Sequence, residues 1–183
     1  MKYILLFIVS VVLVACSSTN PENAETDVEA ASEAKDSDVV AIVKGKEITL
    51  KKVRALHSVE EKNIPLLVDM YIQDEIMVLE AKTRGIDVSD DIESIETIFP
   101  FGSTGNEDYF ETQAEYLGIT AEEYYEVYFK ERMERDAYIN RLMEDQFDME
   151  NVEEVPSEAR DKELNDFVSS LWKKYKKDIE IRL

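Results

Sequence analysis

Between residues 64 and 79 the chain carries Ile64, Leu67, Val68, Tyr71, Ile72, Ile76 and Leu79 at helical spacing, and Met70, Met77 and Val78 widen the stripe past one face. A helix with so broad an apolar belt must be largely buried. Pro65 suits its first turn, and Gly85 after Arg84 is placed to end it in the left-handed conformation. The chain has a single cysteine, so no intramolecular disulfide can form and the fold has to rest on its apolar core.

The surrounding segments supply elements to cover that helix. Val39 to Val43 is a β-branched run, followed by a turn at Lys44-Gly45-Lys46 and a short strand at Glu47 and Ile48, which predicts a hairpin. Thr49 is placed to cap a short helix carrying Val53 and Leu56, although Lys52 sits where an acid would complete a capping box. Ser89 is expected to cap a helix that ends before Pro100 and the loop from Phe101 to Gly105. Tyr109, Phe110, Gln113, Tyr116 and Leu117 mark another helix, which stops at Gly118. Thr120 and Glu123 then form a capping box for a helix that runs to about Phe147. Asp148 to Pro156 is an acidic connector. Ser157 is expected to cap a last helix, whose Leu164, Phe167, Val168, Leu171, Trp172 and Tyr175 form the cleanest amphipathic stripe in the chain. Four lysines near its end favour the negative pole of the helix dipole. Ile179, Ile181 and Leu183 then alternate with Glu180 and Arg182, a half-buried strand whose expected partner is the hairpin.

The N-terminus is of a different kind. Lys2 precedes an apolar run from Ile4 to Val14, about the length of a signal-peptide core and too short to span a bilayer. The run closes on Leu13-Val14-Ala15-Cys16, which resembles the lipobox of bacterial lipoproteins. That resemblance implies that residues 1 to 15 are a cleaved signal peptide. It also implies that Cys16 carries lipid holding the protein at the outer face of the cytoplasmic membrane, or at an outer membrane if one is present. Residues 17 to 38 are rich in Ser, Ala, Glu and Asp with no aromatic residue, and read as a disordered tether of roughly 25 Å root-mean-square span. A single mainly helical domain with a small β element, residues 39 to 183, is expected to follow.

The formal charge of −20 excludes nucleic acid as a partner and should hold the domain off anionic lipid headgroups. His57 is the only histidine and is expected to be a partly exposed helix residue, and no Ser-His-acid or Cys-His set can be built. The acidic pairs Asp90-Asp91, Glu122-Glu123 and Glu153-Glu154 sit at helix starts or in the connector, where they offset helix dipoles. No zinc set, calcium loop or glycine-rich phosphate loop is present in the sequence. Neither an enzyme nor a bound cofactor or metal is expected.

The order of hairpin, helices, closing helix and strand is similar to the chaperone domain of the SurA and PrsA extracytoplasmic foldases. Three segments carry the resemblance: VVAIVKGKEIT at Val39 to Thr49, LLVDMYIQDEIMVLEAKTRGIDVS at Leu66 to Ser89, and LGITAEEYYEVYFKERMERDAYINRLM at Leu117 to Met143. Trp172 to Leu183 fits more loosely, and the loop from Phe99 to Asn106 has no counterpart. Isomerising members carry a parvulin domain of roughly a hundred residues before the last helix. Here Asp148 to Ser157 occupy that slot, so the resemblance implies the holding function without the isomerase.

Such a function needs exposed apolar surface, and the aromatic surplus points to where it would lie. Tyr124 with Tyr125 and Tyr128 with Phe129 cannot all point inward from one regular helix, so part of the set Tyr109, Tyr124, Tyr125, Tyr128, Phe129 and Met133 is expected to line a client-binding cleft. The expected partner is unfolded or newly exported polypeptide. The rival reading is a non-enzymatic assembly lipoprotein that uses the same scaffold to bind one specific partner or its own copy.

Overall fold

A computed structural model describes residues 35–57, 62–102, 107–147 and 157–183. The signal peptide, Cys16, most of the tether and the acidic connector, together with Ser103 to Gly105 of the glycine loop, lie outside the described residues. What is described is mainly helical with a small three-stranded antiparallel sheet.

β1 (Val39–Val43) and β2 (Lys46–Thr49) form the predicted hairpin, with Val43 opposite Lys46 and Ile42 opposite Glu47. Lys44 and Gly45 close it, both with positive φ (50° and 78°), the two-residue turn whose twist matches that of the strands. Asp36 and Asp38, placed in the tether by their composition, already belong to the fold. The Asp38 and Asp36 carbonyls accept from the amides of Leu50 and Lys51, and the Asp36 carboxylate pairs with Arg54. These bonds cover the start of α1 (Leu50–Leu56), whose cap is the predicted Thr49, its hydroxyl accepting from the Lys52 amide at 3.3 Å.

α2 (Ile64–Thr83) is the buried helix that the apolar belt requires. Tyr71, Ile72 and Ile76 are fully buried, and Gly85 follows with φ 76°. α3 (Ser89–Ile98) begins where expected but is not capped by Ser89. Asp87 reaches forward instead and accepts from both the Ser89 amide (3.0 Å) and its hydroxyl (2.6 Å), because Ser89 is already helical and its side chain lies past the capping position. α4 (Glu107–Leu117) ends at Gly118, φ 64°. α5 (Ala121–Tyr124), a single π turn (Tyr125–Phe129) and α6 (Lys130–Gln146) then run on from one another, capped by Thr120.

α7 (Ser157–Tyr175) packs on α2 through Leu171 and Tyr175, with Phe167, Val168 and Trp172 half-buried beside them. The Tyr175 hydroxyl and Lys174 both donate to Glu80 of α2, so a carboxylate inside an apolar helix is satisfied by the last helix. A short 3₁₀ turn leads into β3 (Ile179–Ile181), which pairs antiparallel with β1, Ile179 opposite Val43 and Ile181 opposite Ala41. The strand order is β2-β1-β3, with β1 at the centre. Among the described residues no helix is long and apolar enough to cross a membrane.

Candidate functional site

The expectation that the neighbouring aromatic pairs cannot all turn inward fails for Tyr124 and Tyr125, which are 0% and 4% exposed. At about 100° per residue, positions 124, 125, 128 and 129 span roughly 140° of one helix side, so elements packed on that side can bury them together. The helix is also widened here by a π turn, in which the Lys130 amide donates to the Tyr125 carbonyl, five residues back. Tyr125 stacks on Phe129 at 5.4 Å, Phe110 of α4 meets Tyr125 at 5.5 Å and Phe129 at 5.0 Å, and Tyr128 lies 6.1 Å from Tyr124. Two hydroxyls tie the cluster to its surroundings: Tyr124 donates to the Ala55 carbonyl (3.3 Å) and Tyr125 to the Phe99 carbonyl (2.8 Å).

The six residues expected to line a cleft therefore divide. Tyr124 and Tyr128 belong to the packed interior between the two apolar clusters. Tyr109 is exposed on α4, its ring edge-on to Tyr124. Tyr125, Phe129 and Met133 reach a cleft on the other side, where α3 lies along the π turn and α6. Ile92 and Ile95 of α3 complete the apolar walls of this narrow cleft, which Lys130 and Glu134 also line. Sequence reasoning missed these two isoleucines, although their spacing on an otherwise polar helix was the available signal.

From Ile95 and Met133 the cleft widens into a groove of about 910 Å³ that adds Ala137 to the floor and Asp91, Asp136, Arg141 and Glu144 to the rims. Among the described side chains of α3 none is buried, so the helix is held by its two isoleucines and by one polar clasp. That clasp is a two-pronged ion pair, Arg141 on Asp91 at 2.8 and 2.9 Å. Ile98, Phe99 and Phe101 extend the apolar surface beyond the end of the helix and are 63%, 42% and 41% exposed.

A second constellation is buried between α2 and α6. The Arg135 guanidinium lies 4.7 Å over the Tyr71 ring and pairs with Glu75. Burial pushes the Glu75 carboxyl up, but Arg135 overrides it and holds the group below its usual range. His57, expected to be partly exposed, has a side chain only 10% exposed, set against Tyr71 and 3.6 Å from Asp74. Burial, then the charges of Arg135 and Arg132, lower its imidazole to about 4, so it is neutral at physiological pH. The neutral imidazole sits beside Asp74, whose carboxyl burial raises to about 6, so the two groups bring helices together with little charge attraction between them. Among the described residues no group of three or more metal-binding side chains converges.

No family model, curated protein or solved structure matches the chain.

Proposed function

We propose that this protein is a membrane-anchored, extracytoplasmic holding chaperone. It would bind unfolded or newly exported polypeptide in the groove between α3 and α6 without proline isomerase activity. The observation that carries the reading is the groove itself: an apolar floor of Ile95, Met133 and Ala137, continued by Ile92 and Phe129 in the narrower cleft beside it, next to a helix none of whose described side chains is buried. The unbranched, polarisable side chain of Met133 adapts to varied apolar groups, which suits unspecific holding of unfolded segments. The element order, with the last helix and strand completing the sheet begun at Val39, supports a scaffold of the SurA and PrsA chaperone-domain kind. Anchorage would come from lipid on Cys16, whose several acyl chains bind a bilayer firmly at roughly 0.8 kcal/mol per buried methylene.

The test is suppression of aggregation of a chemically unfolded client. Substituting serine at Ile95 and Met133, both half-buried, should lower suppression several-fold while shifting the melting temperature little, and unchanged suppression rejects the groove. Tyr124 and Tyr125 are unsuitable for this test because serine there would open the core. Metabolic labelling with palmitate, lost in Cys16→Ser, checks the anchor.

A rival reading, an assembly lipoprotein with one specific partner or its own copy, draws on the exposed Ile98, Phe99, Phe101 and Tyr116 outside the groove. Crosslinking in cells separates the two: many unrelated exported proteins favour the chaperone, one stoichiometric partner the rival.

A further inference from the structure

α3 reads SDDIESIETI, with four acidic residues, no basic one, and Ile92 and Ile95 turned to the groove. Across from it, α6 sets Asp136 and Glu144 on the rim beside Met133 and Ala137. The cation lining the wider groove, Arg141, is already engaged, by Asp91 on one side and by Glu144 at 3.0 Å on the other. Asp136 has its ion-pair contact with Arg132 at the limit of such a contact, 4.0 Å, and burial pushes its carboxyl up. The charges of Arg132 and Arg135 pull the other way without cancelling that effect, so this carboxylate has lost part of its hydration and is only partly compensated. Arg141 can offset only one of the two carboxylates that it pairs with, so the groove presents an apolar floor between walls of net negative charge, on a chain of net charge −20.

Resting on the reading of this groove as the polypeptide site, we propose that it selects segments in which apolar residues alternate with lysine or arginine. The ten residues of α3 make a wall of about 15 Å, which accommodates about four or five residues of an extended strand. In an extended segment neighbouring side chains point to opposite sides, so apolar residues would descend between Ile95 and Met133 while the intervening cations meet Asp136 and Glu144. Acidic segments would be repelled by the same rims, and neutral apolar ones held by the floor alone.

The experiment uses the full chain, purified in a non-ionic detergent, and three fluorescent peptides with the same apolar residues and lysine, serine or glutamate between them. Anisotropy titrations at low salt should rank lysine over serine over glutamate, with about a tenfold advantage for lysine over serine. That advantage should shrink as salt is raised. In the variant Asp136→Asn with Glu144→Gln, both exposed enough to leave folding intact, the lysine peptide should fall to the affinity that the serine peptide has for the same variant. Equal binding of the lysine and serine peptides, or an advantage that survives the double variant, overturns the charge selection and leaves the groove's holding role standing. If none of the three binds and unfolded client is not held either, the holding role itself fails. Peptide binding that persists when Met133→Arg fills the floor places the site elsewhere and also overturns the proposal.

Discussion

Arg135→Met should be among the most damaging single substitutions in the molecule, and its cost should nearly vanish when Glu75 is changed with it. Both side chains are about nine-tenths buried, on the interface where α6 crosses α2. Removing the guanidinium strands the Glu75 carboxylate with Lys46, 3.8 Å away and half-exposed, as its remaining cation. It also removes the cation from the face of Tyr71. Breaking a buried pair costs about 3–5 kcal/mol, and partial compensation by Lys46 argues for the lower end, about 3 kcal/mol. With a urea slope of about 1–3 kcal/mol/M, the midpoint should fall by roughly 1–3 M. Glu75→Leu combined with Arg135→Met puts two apolar chains of similar length in the same space and should return to within about 1 kcal/mol of the parent. Urea unfolding of the parent, both single variants and the double variant at neutral pH gives the coupling energy directly. A cost below about 1 kcal/mol for either single change, or a double variant whose cost equals the sum, would show that the pair is not compensated as described.

Three further outcomes are expected. The imidazole of His57, lowered to about 4 by burial and then by Arg135 and Arg132, takes up its proton in the unfolded chain first. The stability tied to it is complete above about pH 6.5 and is lost as pH falls toward 4, so His57→Gln should flatten that limb of a pH-resolved thermal denaturation curve. Asp74 acts in the opposite sense. Burial raises its carboxyl to about 6, so its charge opposes folding near neutrality, and Asp74→Asn should gain about 1–2 kcal/mol at pH 7 with the gain fading below pH 6. Arg141→Ala opens the clasp on Asp91, an exposed pair of at most about 1 kcal/mol, so hydrogen exchange in α3 should quicken while the melting temperature barely moves.

Local chemistry explains what could be read in advance. Gly45, Gly85 and Gly118 mark positions that need positive φ, Thr49 and Thr120 accept amides at helix starts, and the alternation at Ile179 to Ile181 fits a strand beside the hairpin. The arrangement of the cleft was not legible, because which aromatic residues turn inward depends on distant elements: Phe110 of α4 and the Ala55 and Phe99 carbonyls hold Tyr124 and Tyr125 inside, and Ile92 and Ile95 of α3 complete the cleft. Glu75, Glu80 and Arg135 are equally opaque. A charged residue in a buried stretch reads as a break in the stripe until the distant partner is known: Glu75 of α2 and Arg135 of α6 answer each other, and Glu80 is met by Lys174 of α7. Asp36 and Asp38 were hidden by composition, since two aspartates at the end of an acidic stretch show no sign of the amides they cover.

The sheet imposes an order on assembly. β1 meets β2 as soon as the hairpin turn has formed, but its other edge is filled by β3, at the far end of the described chain. A chain emerging N-terminus first, from a ribosome or a pore, therefore holds a finished hairpin with one bare edge. Ala41 and Val43 remain without their neighbours Ile181 and Ile179, and α2 without Leu171 and Tyr175, until the last helix has cleared the exit. Closing so long a loop is entropically costly and slow relative to local pairing. The sheet thus reaches its full set of contacts only when residues 179 to 181 are free to pair with the central strand.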